Sequence, residues 1–227
     1  MGTKVGPNIL NKNLNLHIDA GSDRSYPNSG NTWYDLSGNN NNGTLINSPT
    51  FSSNNIGVMT FDGSNDKVEI TNFPMMFFRS ITMECWMYWN DDSRSIIFGN
   101  YDAGAKDVNF EKIGGRSLRF YWNRGERDVT TASNVVTTTG EWHHIVIQRC
   151  VSDNTFKFWV NGSLIQSTSN IGTNIPSTGS TFRVGGDSRD GTTITNGGIS
   201  VLRLYSEQLS QNEILQNYNS QKSRYGL

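Results

Sequence analysis

Apolar and polar side chains alternate over short runs along most of this chain, a period of two that indicates β-strands. The clearest run extends from Glu141 to Gly162, where two alternating arms flank the polar bend Val151–Asn154. The bend predicts a hairpin, and Asn161-Gly162 supplies the positive backbone angles of a second tight turn. The segment therefore predicts a β-meander of half-buried strands.

The same alternation recurs in further stretches before and after this meander. They are Leu14–Ala20, Val58–Phe61, Lys67–Ile70, Ile81–Trp89, Ser95–Tyr101, Ser117–Asn123, Thr181–Gly185 and Gly198–Tyr205. The second and third of these stretches bracket the turn Asp62–Asp66 and predict another hairpin. Ile81–Trp89 is largely apolar on both faces, which is typical of a strand covered on both sides. Residues 21–53 are dense in Gly, Asn and Ser and predict a long packed loop.

One helix is indicated near the C-terminus. Ser210 and Glu213 have the spacing of a capping box, in which each side chain bonds the backbone of the other residue. Leu209 and Ile214 flank the box and can form a hydrophobic staple. The sequence therefore predicts a helix that begins after Ser210 and runs for two to three turns.

Length and composition favour one all-β domain. The chain has 227 residues with 23 glycines, and no low-complexity linker divides it. Many short strands with Gly and Asn turns predict a two-sheet antiparallel sandwich or jelly roll with one short C-terminal helix. Residues 1–13 are polar and contain Gly6-Pro7, so we interpret them as an N-terminal arm and residues 14–227 as a single domain.

The charge balance argues against several partners. A formal net charge of -1 and an isoelectric point near 6.3 do not suit a nucleic-acid or anionic-membrane surface, which needs clustered basic residues. No apolar run has the length of a signal-peptide core or a membrane span, so the sequence predicts a soluble protein without a secretion signal.

Cys85 and Cys150 lie in apolar strand patterns, which favours buried free thiols. Whether they pair cannot be derived from the sequence.

Several segments, taken in order along the chain, resemble a known family. They are Asp35–Asn39, Asn42–Leu45, Phe61–Asp66, Ile81–Trp86, Trp142–Val146, Trp159–Gly162, Gly198–Tyr205 and Leu209–Ile214. Together they resemble the laminin-G-like (LamG-type) jelly-roll domains of the concanavalin A-like lectin/glucanase superfamily, over nearly the whole chain. The resemblance implies the concanavalin A-like sandwich, and it implies that Trp33, Trp86, Trp142 and Trp159 are packing residues.

The two ends of the chain carry a narrower resemblance. Gly6–Ile9, His17–Gly21, Ser25–Pro27 and the ending Arg224–Leu227 are similar to segments of stand-alone LamG-type proteins of tailed phages. That resemblance implies a component of the virion surface, tail or fibre, and hence a location on the virion or outside the cell.

The superfamily includes glucanases, so catalysis has to be weighed. A retaining glycosidase needs two carboxyl groups about 5–5.5 Å apart, and in the glucanase branch they lie in a Glu-x-Asp-x-x-Glu run along one strand. No such run occurs here, because Glu84 is the only acid of its strand and Asp91-Asp92 follow in a loop. His143 and His144 point to opposite faces of a strand, and we expect one to pack in the hairpin and the other to lie at its surface. We predict that the protein is not an enzyme.

The acidic loops suggest a calcium site. Ca²⁺ takes roughly 6–8 oxygen ligands, and the resemblance implies that many such jelly rolls hold one calcium ion in a loop. Asp62 and Asp66 are the best local cluster, which Asp35 could join from the long loop, and Asp187 with Asp190 forms a second cluster. The alternative is that these side chains only cap their own turns.

A sugar site needs an exposed aromatic face beside polar groups, because a pyranose ring has an apolar side and a hydroxylated rim. In the strand Ser117–Asn123 the aliphatic and large apolar side chains share one face, so the opposite face presents a tyrosine between polar residues. The candidate ligand-binding residues are therefore Tyr121, Arg119 and Asn123, with Asn100 and Tyr101 from the preceding strand.

Two functions follow from these observations. The first is a non-catalytic carbohydrate-binding or adhesion module that recognises host glycans. The second is a purely structural virion decoration or assembly protein, whose arm and C-terminal tail would pack into neighbouring chains. A glycoside hydrolase is a distant alternative. The partners are then a glycan or other virion proteins, and a homo-oligomer is left open.

Overall fold

Two antiparallel β-sheets face each other across an apolar core. The computed structural model describes residues 8–74, 80–100, 108–122, 127–138, 140–169, 179–186 and 193–227. In chain order the strands are β1 (Leu14–Asp19), β2 (Thr32–Trp33), β3 (Gly43–Ile46), β4 (Thr50–Ser52), β5 (Val58–Asp62), β6 (Lys67–Pro74), β7 (Ile81–Trp89), β8 (Ser95–Asn100), β9 (Val108–Ile113), β10 (Ser117–Trp122), β11 (Arg127–Thr130), β12 (His143–Cys150), β13 (Thr155–Val160), β14 (Ser163–Ser169), β15 (Gly179–Val184) and β16 (Asn196–Tyr205).

Each sheet has eight strands. Sheet A has the order β14-β13-β12-β7-β16-β5-β4, with β1 also paired to β16. Sheet B has the order β11-β10-β9-β8-β15-β6-β3-β2. Helix α1 (Gln211–Gln221) follows β16, and short 3-10 helices occupy Asn54–Ile56 and Lys222–Tyr225. The predicted all-β sandwich with one short C-terminal helix is confirmed.

The predicted strands are largely found, but their partners differ in one place. The meander of β12, β13 and β14 is present as expected. The second hairpin is wrong, because β5 belongs to sheet A and β6 to sheet B, so the turn Asp62–Asp66 crosses between sheets. Alternation reports which face of a strand is apolar, and it does not report which strand lies alongside.

The stretch predicted as a long loop, residues 21–53, contains the three short strands β2, β3 and β4. These strands have only two to four residues each, too few for a period of two to stand out. Strand β11, with four residues, is also too short for the alternation to stand out. Strand β9 was not predicted either. The loop prediction is therefore wrong where β2, β3 and β4 lie, because β4 is an edge strand of sheet A, and β3 and β2 are the last two strands of sheet B.

The outer face of sheet A is covered by the C-terminal segment. Trp86 points away from the sandwich core and stacks on Tyr225 and Tyr218, with ring centroids 4.2 Å and 5.7 Å away. Beside them, Ile214 of α1 packs on Val146 and Trp159. This cover explains why all eight residues of β12 are buried rather than half of them, which corrects the half-buried prediction.

A buried ion pair lies under the same helix. Arg203 donates from Nη1 to Glu84 Oε1 at 2.5 Å, and Asn217 of α1 donates to Glu84 Oε2 at 3.0 Å. Burial by itself would raise the pKa of Glu84, but the positive charge of Arg203, together with the interaction with His144 and the hydrogen bond from Arg203, outweighs it and lowers the pKa to about 2. Glu84 is therefore ionised at any physiological pH, and it ties the helix to the sheet.

Both neighbouring histidines are buried. His144 is enclosed between Trp86 and Tyr218 and lies 3.5 Å from a Glu84 oxygen. His143 accepts the backbone N–H of Thr137 at 3.1 Å. The expectation that one of the pair lies at the surface is wrong, because the C-terminal segment covers the face that the hairpin alone would expose.

The described part of the N-terminal arm, residues 8–13, packs against α1 of its own chain. Leu10 donates its backbone N–H to Asn217 at 3.0 Å, and Gln216 donates to the carbonyl of Asn8 at 2.7 Å. Lys12 pairs with Glu213 at 2.5 Å. The arm thus forms part of the cover over sheet A.

Within the described residues, no helix is long and apolar enough to cross a bilayer. Cys85 and Cys150 are buried free thiols, as predicted.

The predicted capping box is present at the start of α1. The Ser210 hydroxyl accepts the N–H of Glu213, and the Glu213 carboxylate accepts the N–H of Ser210 at 2.7 Å. We expect Ser210→Ala to lower the free energy of unfolding by about 1 kcal/mol, because one orphan N–H loses its acceptor. Denaturant titration measures this, with Ser223→Ala, an exposed serine of the following 3-10 helix, as a control that stays within about 0.5 kcal/mol. Equal effects of the two substitutions would contradict the cap.

Candidate functional site

A single row of paired residues crosses the outer face of sheet B from one edge to the other. Successive members lie directly opposite each other on neighbouring strands. We name this set the outer row; its members are Asp128, Tyr121, Asn109, Gly99, Arg183, Glu69, Thr44 and Thr32. The adjacent row points inward, since Phe120, Phe110, Phe98, Val184, Val68 and Leu45 all belong to the core. Side chains alternate along a strand, so the outer row faces away from the core.

No member of the outer row is aliphatic. All are polar, aromatic or glycine. Asp128, Arg183, Glu69, Thr44 and Thr32 are at least partly exposed, whereas Tyr121, Asn109 and Gly99 are buried. Sheet A differs, because its outer face, which carries apolar residues and the buried Glu84–Arg203 ion pair, is covered by α1 and the C-terminal segment. The broad polar face of the sandwich is therefore that of sheet B.

A buried carboxylate organises one end of this face. Glu111 is 0% exposed, and it pairs with two guanidinium groups. Arg94 donates from Nε to Oε2 at 2.7 Å, and Arg119 donates from Nε to Oε1 at 2.5 Å. Arg119 also lies over the ring of Tyr121, 5.1 Å from its centroid. Charge-assisted pairs of this kind fix the planar groups in one orientation.

A second ion pair lies near the middle of the row. Arg183 donates from Nε to Glu69 at 3.0 Å, and Lys67 lies 3.4 Å from the same oxygen. Burial tends to raise the pKa of Glu69, but the bond to Arg183 and the two positive charges outweigh it and lower the pKa. Nη1 of Arg183 is buried and has no hydrogen-bond partner among the described residues. An unpaired buried donor is costly, so this nitrogen marks a place where a ligand oxygen would be favourable.

Gly99 separates Arg183 from Asn109 in the row. A Cβ at Gly99 would lie 2.1 Å from Asn109 Oδ1 and 2.6 Å from the carbonyl oxygen of Val108. Only glycine is accommodated there without displacing the neighbouring strand. Gly99 is itself buried, so its backbone packs closely against β9 at this position.

The predicted sugar-binding residues are only partly brought together. Arg119 and Tyr121 share the outer face, but Tyr121 is 3% exposed and its hydroxyl accepts a bond from Asn109 at 2.8 Å. Asn100 is fully buried, and its side chain accepts the N–H of Val108 at 3.2 Å. The expectation of Tyr121 as an exposed aromatic platform is therefore wrong. Tyr101 and Asn123 lie outside the described residues.

The sequence did not identify Asn109, Gly99, Arg183 and Glu69 as parts of this face. They lie on four different strands, and only the sheet order brings them together. A weak signal was present, since Arg183 alternates with the apolar residues Phe182 and Val184. Without knowledge of the neighbouring strands, such alternation predicts that Arg183 is exposed, but it does not predict that Arg183 belongs to a binding site.

The three carboxylates predicted for calcium do not form one cluster. Asp35 accepts backbone N–H groups of His17 at 2.9 Å and Asn41 at 3.0 Å, which closes its loop onto β1. Asp62 and Asp66 instead line a separate cleft of about 220 Å³. Nowhere in the described part of the chain do three or more His, Cys, Asp or Glu residues form a group that could hold a metal ion. The expectation that Asp35 joins the pair is wrong. The second predicted cluster, Asp187 with Asp190, lies outside the described residues.

The fold is shared with several solved structures. The binding domain of Paraclostridial Mosquitocidal Protein 1 matches with a TM-score of 0.72 and 16% identity over 92% of this chain and 52% of that one. The binding domain of botulinum neurotoxin serotype D matches with a TM-score of 0.71 and 17% identity, over 93% and 53%. Trypanosoma rangeli sialidase in complex with sialic acid matches with a TM-score of 0.68 and 16% identity, over 93% and 33%.

At these identities the likeness shows the fold alone. The chain spans about half the length of the two toxin domains and about a third of the sialidase. No curated protein sequence matches the chain. A laminin-G-like family model, described as the concanavalin A-like lectin/glucanases superfamily, matches residues 62–215. Because this match covers more than half of the sequence, the chain belongs to the concanavalin A-like lectin/glucanases superfamily.

Proposed function

We propose that this chain is a non-catalytic glycan-binding module, and that the glycan lies along the outer row of sheet B. The observation that carries the proposal is the row itself, an uninterrupted line of polar, aromatic and glycine residues across eight strands. A linear oligosaccharide is an extended ligand with a hydroxyl rim, and the partly exposed members of the row, above all the neighbouring Arg183, Glu69 and Thr44, offer it donors and acceptors.

The ion pairs on this face support the proposal because they hold hydrogen-bonding groups in place before a ligand arrives. Arg119 and Arg94 are oriented by Glu111, and Arg183 is oriented by Glu69. Planar groups fixed in this way lose little side-chain entropy on binding, so a larger part of each new hydrogen bond contributes to affinity. The Arg183 side chain, which is 15% exposed, would donate to a sugar hydroxyl or carboxylate.

Similar structures support a binding role in a coarser way. Two of them are binding domains of toxins, and a third is a sialidase solved with sialic acid. From these structures we take only the proposal that the ligand of this chain is a glycan.

Binding is favoured over catalysis by the state of the buried acids. A glycosidase needs one carboxyl group with a raised pKa as the general acid. Glu84 has its pKa lowered to about 2 by Arg203 against the effect of burial, and it lies under α1. Glu84 is therefore not suited to donate a proton to a leaving group. Glu111 is paired with two arginines.

We further propose that the module acts on a virion or an extracellular surface, on the resemblance of its two ends to phage proteins. The packing of those ends favours a binding module over a decoration protein. Leu10 of the arm bonds to Asn217, and Tyr225 near the C-terminus stacks on Trp86. A decoration protein was expected to bury these segments in neighbouring chains.

A glycan array tests the proposed function. We expect the wild type to bind a defined subset of glycans and Arg183→Ala to lose most of that signal. Arg24→Ala is the matched control, because Arg24 is an exposed arginine that is not a member of the outer row, so its removal should leave the signal unchanged. Absence of binding by the wild type to every glycan would contradict a glycan ligand, and equal loss in both variants would indicate nonspecific charge attraction.

Calcium at the Asp62–Asp66 cleft is a secondary proposal. Burial and the nearby charge of Asp62 raise the pKa of Asp66, and a cation would relieve that repulsion. The fit is partial, since Asp62 already accepts the N–H of Ser64 at 2.8 Å and Asp66 that of Asp62 at 3.1 Å.

Calcium at 100 times its dissociation constant should stabilise the fold by about 2.7 kcal/mol. Thermal unfolding in Ca²⁺ and in EDTA measures this, with magnesium as the control ion. Calcium at this cleft would be contradicted if Ca²⁺ did not raise the melting temperature of the wild type, or if it raised that of Asp66→Asn equally.

A further inference from the structure

A second cleft, of about 230 Å³, opens beside the ends of β1 and β4 and shares no residue with the outer row. We name it the Ile56 cleft. Among its lining residues are Ala20, Asp23, Asn28, Phe51, Ser53 and Ile56. Its volume lies below the roughly 300–1,000 Å³ of sites for drug-sized ligands, so a ligand of one ring is the size it accommodates.

Ile56 has an unusual backbone conformation and an unusual exposure. Its φ is 61°, in the left-handed region, where a β-branched residue is a genuine outlier. Its side chain is 66% exposed at the mouth of the cleft. Asparagine or glycine would adopt this backbone with less strain. Strain that persists at a site of this kind points to a function.

The strained turn is held in place by Arg224. Its guanidinium donates to the carbonyl oxygens of Asn55 at 2.7 Å, Ile56 at 3.2 Å and Gly57 at 3.0 Å. The side chain of Asn55 donates back to the Arg224 carbonyl at 3.1 Å. A Cβ at Gly21 would lie 1.9 Å from the Ile56 oxygen, so glycine is required for this close approach. The backbone of Ile56 is therefore held in place before any ligand binds.

The walls of the cleft combine an apolar side with a polar rim. Phe51 is half-buried and packs on Tyr26 with ring centroids 5.3 Å apart. Ile56 adds an aliphatic surface to the same lining, and the exposed side chains of Asp23 and Asn28 add acceptors and a donor. A pyranose ring has a matching division into a C–H face and a hydroxyl rim.

We propose that the Ile56 cleft binds a single pyranose ring, with its C–H face on Phe51 and Ile56 and its hydroxyls toward Asp23 and Asn28. This site is independent of the outer row, and it extends the proposed glycan binding to a second place on the molecule.

The test uses two readouts that should move in opposite directions. Saturation-transfer NMR with a panel of methyl hexopyranosides, N-acetylglucosamine and sialic acid measures binding, and thermal unfolding measures the strain. Ile56→Asn should raise the melting temperature by about 2–4 °C, since asparagine tolerates the left-handed backbone, and it should weaken binding at least tenfold. Asp23→Ala should weaken binding with little change in melting temperature, because Asp23 is exposed.

Ile165→Asn is the matched control, because Ile165 is an exposed isoleucine on β14 that is not part of the cleft. It should leave sugar binding unchanged. Arg183→Ala should also leave the signal in place, so that failure of the outer row and failure of this cleft are distinguishable. No saturation transfer from any sugar, an unchanged signal in Ile56→Asn, or a lower melting temperature in that variant would overturn the proposal.

Discussion

Replacing Glu84 with alanine is expected to lower the free energy of unfolding by about 3–5 kcal/mol, because it leaves a buried charge without its partner. Arg203 is fully buried and donates to Glu84 at 2.5 Å, and Asn217 of α1 depends on the same carboxylate. The substitution therefore also loosens the helix that covers sheet A.

Denaturant unfolding measures this loss. Asp92→Ala, which removes an exposed acid after β7, is the matched control and should change the free energy by less than about 0.5 kcal/mol. A double variant, Glu84→Leu with Arg203→Met, should recover most of the loss, because it removes both charges together. A loss below about 1 kcal/mol in Glu84→Ala would contradict the role of the ion pair.

The pH dependence of the free energy of unfolding is a second test of the Glu84–Arg203 ion pair. The pKa of Glu84 is lowered from 4.5 to about 2, so its contribution is present above about pH 4.5 and is lost as the pH falls toward 2. Each pKa unit corresponds to about 1.4 kcal/mol, which gives a contribution of about 3 kcal/mol. Burial lowers the pKa of His17 from 6.5 to about 4, so a separate loss occurs between those values. Glu84→Ala should abolish only the loss at the lower pH.

Tyr121→Ala is expected to lower the free energy of unfolding by about 3–5 kcal/mol, in the range of buried aromatic truncations. Tyr121 is 3% exposed, its ring lies beside Arg119, and its hydroxyl bonds Asn109. Had the residue been an exposed platform, as the sequence suggested, the same substitution would have left the melting temperature nearly unchanged.

Thermal and denaturant unfolding of Tyr121→Ala and Tyr121→Phe separate the two descriptions. Tyr121→Phe keeps the ring and removes only the hydroxyl, so its loss should be about 1–2 kcal/mol. A loss of less than about 1 kcal/mol in Tyr121→Ala would mean that the ring is exposed in solution. Because the alanine variant is destabilised, Tyr121 is a poor residue with which to test glycan binding, and Arg183 is a better one.

The sequence predicted the fold well because strands and caps have local signals. The alternation in β7 and β12, and the Ser210–Glu213 spacing, each identify an element within ten residues. The assignment of β5 and β6 to different sheets could not be predicted in this way, since pairing depends on residues more than a hundred positions apart, such as Phe61 and Gly197.

The face for ligand binding was harder to predict for the same reason. Arg119 and Tyr121 lie on one strand, and their shared face followed from alternation. Arg183 and Glu69 join that face only through the order of sheet B. The burial of Tyr121 and His144 depends on segments that fold over the strands, and alternation contains no information about such cover.

The central claim is that Arg183 in the outer row contacts the glycan. Titration calorimetry with the strongest glycan from the array measures this most directly, on the wild type, Arg183→Ala, Arg183→Lys and Arg24→Ala. A charged donor contributes about 1.5–3 kcal/mol to a hydrogen bond, so Arg183→Ala should weaken affinity by about 10- to 150-fold, with Arg183→Lys in between and Arg24→Ala unchanged. An Arg183→Ala affinity within twofold of the wild type would contradict the account.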